Sequence, residues 1–153
     1  MGIEAGRSDF DGSGLRIAVV VATFNADVTG GLLTGALLYL NEVGAEVVRV
    51  VEVPGAFEIP LAAQRLAAGG TIDAVVALGA VIEGETDHYE HVAHRASEGL
   101  MRVSLDTGIP VTFGILTARS VEHAMERSAP GAGNKGAEAA AAAIGAALAL
   151  RSI

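Results

Sequence analysis

Three histidines, His88, His91 and His94, recur at every third residue of the chain. On a helix that spacing spreads them over a broad arc rather than one stripe, and no His-Glu-x-x-His pattern accompanies them, so they do not read as a zinc site. His88 follows a glycine-bearing segment, Gly79-Ala-Val-Ile-Glu-Gly84-Glu85-Thr86, that has the glycine spacing of a nucleotide phosphate loop. The position that needs lysine in such a loop is Glu85, whose carboxylate would repel nucleotide phosphates. What remains is either a plain helix-start turn or a place where backbone N–H groups and the Thr86 hydroxyl suit a single phosphate. An imidazole in the first turn beside it, His88, is within reach to move protons near neutral pH; a solvated histidine at a helix end is the plainer alternative.

Aromatic residues make up only 4% of the chain, yet Phe24 and Phe57 both fall where a strand passes into a helix. A phenylalanine on such a rim can stack a flat heterocycle, or it can serve as a hydrophobic staple or a subunit contact. Glu58 can accept hydrogen bonds from ligand N–H or hydroxyl groups, or merely suit a helix start. Arg127 near a helix end fits the dipole and also fits bidentate pairing with phosphate. Gly133-Asn134-Lys135-Gly136 sets a cation near a helix start, where the dipole gives it no stabilisation. That placement points to a ligand or a neighbouring subunit.

Alternating short β-branched runs and longer helical stretches must position these groups. Residues 17–22 read as a strand covered on both faces, with Asp27 or Thr29 as the cap of a helix that stops near Gly44. Residues 46–53 form the second strand, and residues 53–60 turn into a second helix with Pro60 in its first turn, ended by Gly69-Gly70. The third strand covers residues 74–78, a long connection residues 79–87, and the third helix about residues 88–106. A fourth strand over residues 111–116, a short helix capped by Thr117 or Ser120 and ending near Arg127, and an alanine-rich helix from about Gly136 complete the order βαβαβαβαα. That order predicts an α/β fold, a four-stranded parallel sheet with helices on both faces, whose ligands bind outside the carboxyl ends of the strands.

The length of 153 residues fits one domain over residues 15–153, with no internal repeat or linker, and a flexible arm over residues 1–14. The arm carries Glu4, Arg7, Asp9 and Asp11 and no apolar core, so it is not a signal peptide. A net charge of -8 argues against nucleic acid and anionic membrane surfaces, and no stretch reaches the ~20 apolar residues that span a bilayer. No cysteine is present, which removes disulfides and thiolate chemistry; a cytoplasmic location fits. Hydrophobic residues reach 51%, a surplus best placed between subunits.

The motifs in their order resemble the lumazine synthase family over about residues 16–150. They are Phe24-Asn25, Val53-Pro-Gly-Ala-Phe-Glu-Ile-Pro60, Gly84-Glu-Thr-Asp-His88-Tyr-Glu, Phe113-Gly-Ile-Leu-Thr117, and Glu126-Arg127 leading to Ala132-Gly-Asn-Lys-Gly136. The resemblance implies a flavodoxin-like three-layer α/β/α sandwich. It also implies condensation of 5-amino-6-(D-ribitylamino)uracil with 3,4-dihydroxy-2-butanone 4-phosphate to 6,7-dimethyl-8-ribityllumazine, without metal or organic cofactor. By similarity, Phe24 stacks on the pyrimidine, Ala56, Phe57 and Glu58 bind the uracil and ribityl chain, and Ala80, Val81 and Ile82 lie along the heterocycle. Glu85, Thr86 and Arg127 hold the phosphate, Lys135 joins the substrate-binding set, and His88 with Arg127 is catalytic. Phe113 is expected from a neighbouring subunit, so that sites form between chains of a homo-oligomer, either a pentamer or an icosahedral shell of sixty subunits. Riboflavin synthase is an expected partner. Thr23 and Glu83 stand where many members carry basic residues, and both departures remove positive charge near an anionic substrate. A related phosphate-binding protein, such as an archaeal-type riboflavin synthase, or a shell-forming protein with an impaired site is the alternative.

Overall fold

The computed structural model describes residues 10–153. Strands β1 (Arg16–Ala22), β2 (Glu46–Val53), β3 (Ala74–Ile82) and β4 (Val111–Ala118) pair in parallel in the order β2-β1-β3-β4. Helices α1 (Ala26–Glu42), α2 (Ile59–Ala68), α3 (His88–Thr107), α4 (Val121–Ser128) and α5 (Lys135–Arg151) cover the two faces.

The near-continuous apolar run of β1 has a direct cause. Ile17, Val19 and Val21 enter one core with Leu32 and Leu40 of α1 and Ile144 of α5, while Ala18, Val20 and Ala22 enter a second core with Ile59 of α2 and Leu100 of α3. Each fully buried Leu or Ile contributes about 1.5–3 kcal/mol, so both faces of the central strands are anchored by several such side chains. The result is the expected α/β/α sandwich. The chain builds outward from β1 to β2, then returns across β1 to place β3 on its other side. That reversal opens a crevice at the carboxyl ends of β1 and β3.

The alanine-rich α5 offers few large side chains and is held by close approach instead. A Cβ on Gly136 would collide with the backbone of Leu32 in α1, and one on Gly114 of β4 would lie 2.9 Å from the Ala139 Cβ. Small residues on both sides let α5 lie flat against α1 and β4.

Several boundaries differ from those the sequence suggests. β3 continues through Ile82, pairing Gly79 with Ile115 and Ile82 with Ala118, so the connection to α3 shrinks to residues 83–87. Gly79 is therefore a strand residue, and a Cβ there would sit 3.0 Å from Ile59 Cδ1; packing against α2, and not a phosphate loop, explains this glycine. β4 likewise extends to Ala118. α1 starts at Ala26, so neither Asp27 nor Thr29 caps it; the cap position is Asn25, in the left-handed region at φ 63. Ser120 caps α4, its hydroxyl accepting from His123 N–H, and Thr117 stays in β4. The expected flexible arm lies outside the described residues up to residue 9. From Phe10 the chain packs on the α1–α5 core, and Gly12 N–H donates to Val43 O at 2.8 Å. Among the described residues no helix is long and apolar enough to cross a membrane.

Candidate active site

Three strand ends build a cleft of about 690 Å³ at the reversal point. The end of β1 is tied to the end of β2 by Thr23 N–H to Val53 O (2.8 Å) and Phe24 N–H to Pro54 O (2.9 Å). It is tied to β3 by Asn25, whose Nδ2 donates to Ala80 O at 3.1 Å. Asparagine tolerates the left-handed backbone that this junction needs, and its carbonyl accepts from Val28 and Thr29 N–H to start α1. Phe24 is thus fixed at its backbone while its ring stands 71% exposed at the cleft.

After β2, Gly55 leads into a single 3₁₀ turn, Ala56–Glu58, that runs into α2. Ala56 is buried against the α2–α3 core, which turns Phe57, 62% exposed, and Glu58 toward the opening. The last three residues of β3, Ala80, Val81 and Ile82, form an apolar wall. Beyond them Gly84 and Thr86 lie in the short loop, and His88 opens α3. His88 N–H donates weakly to Thr86 Oγ1 at 3.4 Å, which leaves the Thr86 hydroxyl proton for another acceptor.

The structure therefore brings together Phe24, Ala56, Phe57, Glu58, Ala80, Val81, Ile82, Thr86 and His88 around one cleft. Glu85, in the same loop, does not line it. Of the three spaced histidines, His88 and His91 face the cleft and His94 does not; His91 Nε2 lies 3.4 Å from Asp87 Oδ2. Among the described residues no group of His, Asp or Glu gathers as a metal site. Residues without a role in the sequence reading also line the cleft, including Tyr89, Val92 and Val121. The spacing of Tyr89 and Val92 from His88 was the available signal, since α3 must turn one face inward.

Arg127, Phe113 and Lys135 lie elsewhere. Val121, at the start of α4, touches the cleft, but Arg127 is six residues on, about 9 Å along the axis and about 240° round it. Its Nη1 donates to His123 O at 3.0 Å. Phe113 is exposed on β4, the sheet edge, where it lines a separate depression of about 280 Å³ together with Lys135 and Glu138. Lys135 Nζ contacts Glu138 Oε2 at 2.9 Å, which accounts for a cation in the first turn of α5. Among the described residues, no lysine or arginine lines the cleft. Thr23, whose hydroxyl lies 3.5 Å from Pro54 O, and exposed Glu83 add no cation at its rim.

A sequence model of the 6,7-dimethyl-8-ribityllumazine synthase family matches residues 14–151, nearly the whole chain and every strand and helix described above.

Proposed function

The chain belongs to the 6,7-dimethyl-8-ribityllumazine synthase family, and from that premise we propose how its two groups of site residues share the work. The reaction is the condensation of 5-amino-6-(D-ribitylamino)uracil with 3,4-dihydroxy-2-butanone 4-phosphate, a transferase step of riboflavin biosynthesis. In this reading the cleft receives the pyrimidine and the β4 edge of a second copy completes it.

The observation that carries the reading is that, among the described residues, no lysine or arginine lines a cleft that must hold a phosphate ester. Backbone N–H groups around Gly84 and Glu85 and the Thr86 hydroxyl can accept part of that charge. Arg127 and Lys135, exposed or half-buried and outside that lining, supply the rest from a neighbouring copy. A guanidinium matches two phosphate oxygens at once, and Lys135 adds a point charge. Phe113 arrives on the same edge and covers the aromatic rim formed by Phe24 and Phe57.

Phe24 stacks on the pyrimidine ring, Ala80, Val81 and Ile82 flank it, and Ala56, Phe57 and Glu58 bind the uracil edge and ribityl chain. His88 is the proton-transfer residue. Imine formation between amine and ketone, elimination of phosphate and ring closure each move a proton, and one imidazole in reach serves several of these steps. Holding two substrates together supplies much of the remaining acceleration, worth up to roughly 7–11 kcal/mol in the best-oriented systems.

The assembly in this reading is a pentamer, alone or as the unit of an icosahedral shell, in the cytoplasm, with riboflavin synthase as the partner that consumes the product. Exposed Leu61 on α2 and Met101 and Leu105 on α3 support it, as apolar surface that an isolated chain leaves in water. Two measurements test the reading together: product formation with both substrates, corrected for the uncatalysed condensation, and light scattering. A saturable rate above background from an oligomer is expected; a monodisperse monomer with full activity would contradict the shared site.

A further inference from the structure

Three buried polar residues, Thr29, Ser128 and Asn134, have no part in the reading above, and Asn134 is the most enclosed of them. Asn134 is 1% exposed, and its side chain joins three helices. Its Oδ1 accepts from Gly136 N–H (2.9 Å) and Ala137 N–H (3.0 Å), capping α5. Its Nδ2 donates to Ser128 O and Ala129 O at the end of α4 (both 3.0 Å) and to Gly31 O in α1 (3.1 Å). Two amide protons serve three carbonyls, so at least one is shared. Its backbone N–H closes the intervening loop onto Gly131 O at 3.2 Å, with Gly131 itself at φ 114. The neighbourhood is shaped around this side chain: a Cβ on Gly35 would run into the Asn134 amide, and one on Gly31 would strike Ser128 O.

A helix cap needs only the Oδ1 contacts, and serine would supply a comparable acceptor. The Nδ2 contacts do something else. They fix the carbonyl of Ser128, the residue after Arg127, against the residue before Lys135. The two cations are separated by seven residues of connection and helix end, yet their backbones are locked together through one amide group.

We infer that Asn134 is a positioning residue for phosphate recognition, setting Arg127 and Lys135 in a fixed relation so that both meet the same anion in the neighbouring cleft. The inference rests on the assignment of those two cations to phosphate. It touches no reacting atom and acts through backbone placement alone. A long side chain on a loosened backbone loses the benefit of preorganisation even though its charge is unchanged.

The test compares Asn134→Ser with Arg127→Ala and with Leu100→Ala, a cavity variant in the opposite core that destabilises without touching the α4–α5 junction. All are measured on assembled protein, with inorganic phosphate as a competitive probe. For Asn134→Ser, the KM for the butanone phosphate and the inhibition constant of phosphate both rise roughly tenfold, while kcat and the pyrimidine KM stay within about twofold. Leu100→Ala changes none of these. If Asn134→Ser does not assemble, Asn134→Asp keeps the cap and sets an acceptor against the three carbonyls, with the same expectations. Unchanged phosphate affinity, or both KM values rising together, overturns the positioning role. If Arg127→Ala also leaves phosphate affinity unchanged, the assignment of the cations fails with it; if only Arg127→Ala weakens it, the cations stand and Asn134 is a cap.

Discussion

The cleft at the ends of β1, β2 and β3 and the edge formed by β4, α4 and α5 are built on opposite plans. The cleft is aromatic, carries no lysine or arginine among the described residues, and leaves Phe24 and Phe57 largely exposed. The edge carries the cations, each already engaged within its own chain: Arg127 on His123 O, and Lys135 on Glu138. Exposed aromatic side chains and exposed or half-buried cations are therefore set apart within one subunit. Under the proposed function this contrast means that neither region is a site alone, and that association of copies unites them without rearranging either core.

Substitutions that affect one plan and spare the other sharpen the contrast. The largest expected effect is on His88: His88→Ala lowers kcat roughly 100-fold without abolishing turnover, because substrate positioning remains. Steady-state kinetics on the assembled variant reads this directly, and total loss in a folded oligomer would count against positioning. Arg127→Ala comes next, raising the KM for the phosphate substrate by about 10-fold or more, the scale of one charge-assisted hydrogen-bonded pair, with little change in the pyrimidine KM. Phe24→Ala does the reverse. Loss of one stacking contact weakens pyrimidine binding by roughly three- to tenfold, seen in a titration of the pyrimidine alone, and leaves phosphate inhibition as it was. Smallest is Glu138→Gln, which frees Lys135 from a partly exposed ion pair worth about 0.2–1 kcal/mol; phosphate inhibition tightens about twofold, and weakening would show that Glu138 orients the lysine.

Much of the element order and most of the cleft residues are legible in the sequence, and the failures have local causes. β2 was legible at both ends because Glu46–Val53 is a β-branched run bounded by Gly44 and Pro54. The sequence ends β3 at Leu78 because Gly79 and Gly84 imitate a phosphate loop, whereas the strand runs on to Ile82 and a Cβ on the first glycine would crowd Ile59 Cδ1 across the sheet face. The sequence points to Asp27 as the start of α1 because it is a good cap by type, while the actual junction depends on Asn25 reaching Ala80, a residue 55 positions away. The cleft residues were legible since they cluster at strand-to-helix transitions. The resemblance already sets Phe113 apart from that cleft, whereas the separation of Arg127 and Lys135 has no sequence signal by itself; only helix phase and sheet order reveal it. The position of Asn134 between two cations was visible, but its three carbonyl partners were not.

The sharing of sites between copies is tested most directly by co-assembly. One chain carries His88→Ala with Phe24→Ala and so lacks a working cleft; the other carries Arg127→Ala with Phe113→Ala and so lacks a working edge. At a butanone phosphate concentration well below KM, each homo-oligomer is close to inactive. In a ring formed at random from equal amounts of both, about a quarter of the sites combine an intact cleft with an intact edge, and activity returns to about that fraction of the unsubstituted protein. Activity of the mixed assembly no greater than the mean of its two parents would contradict a site completed by a second copy.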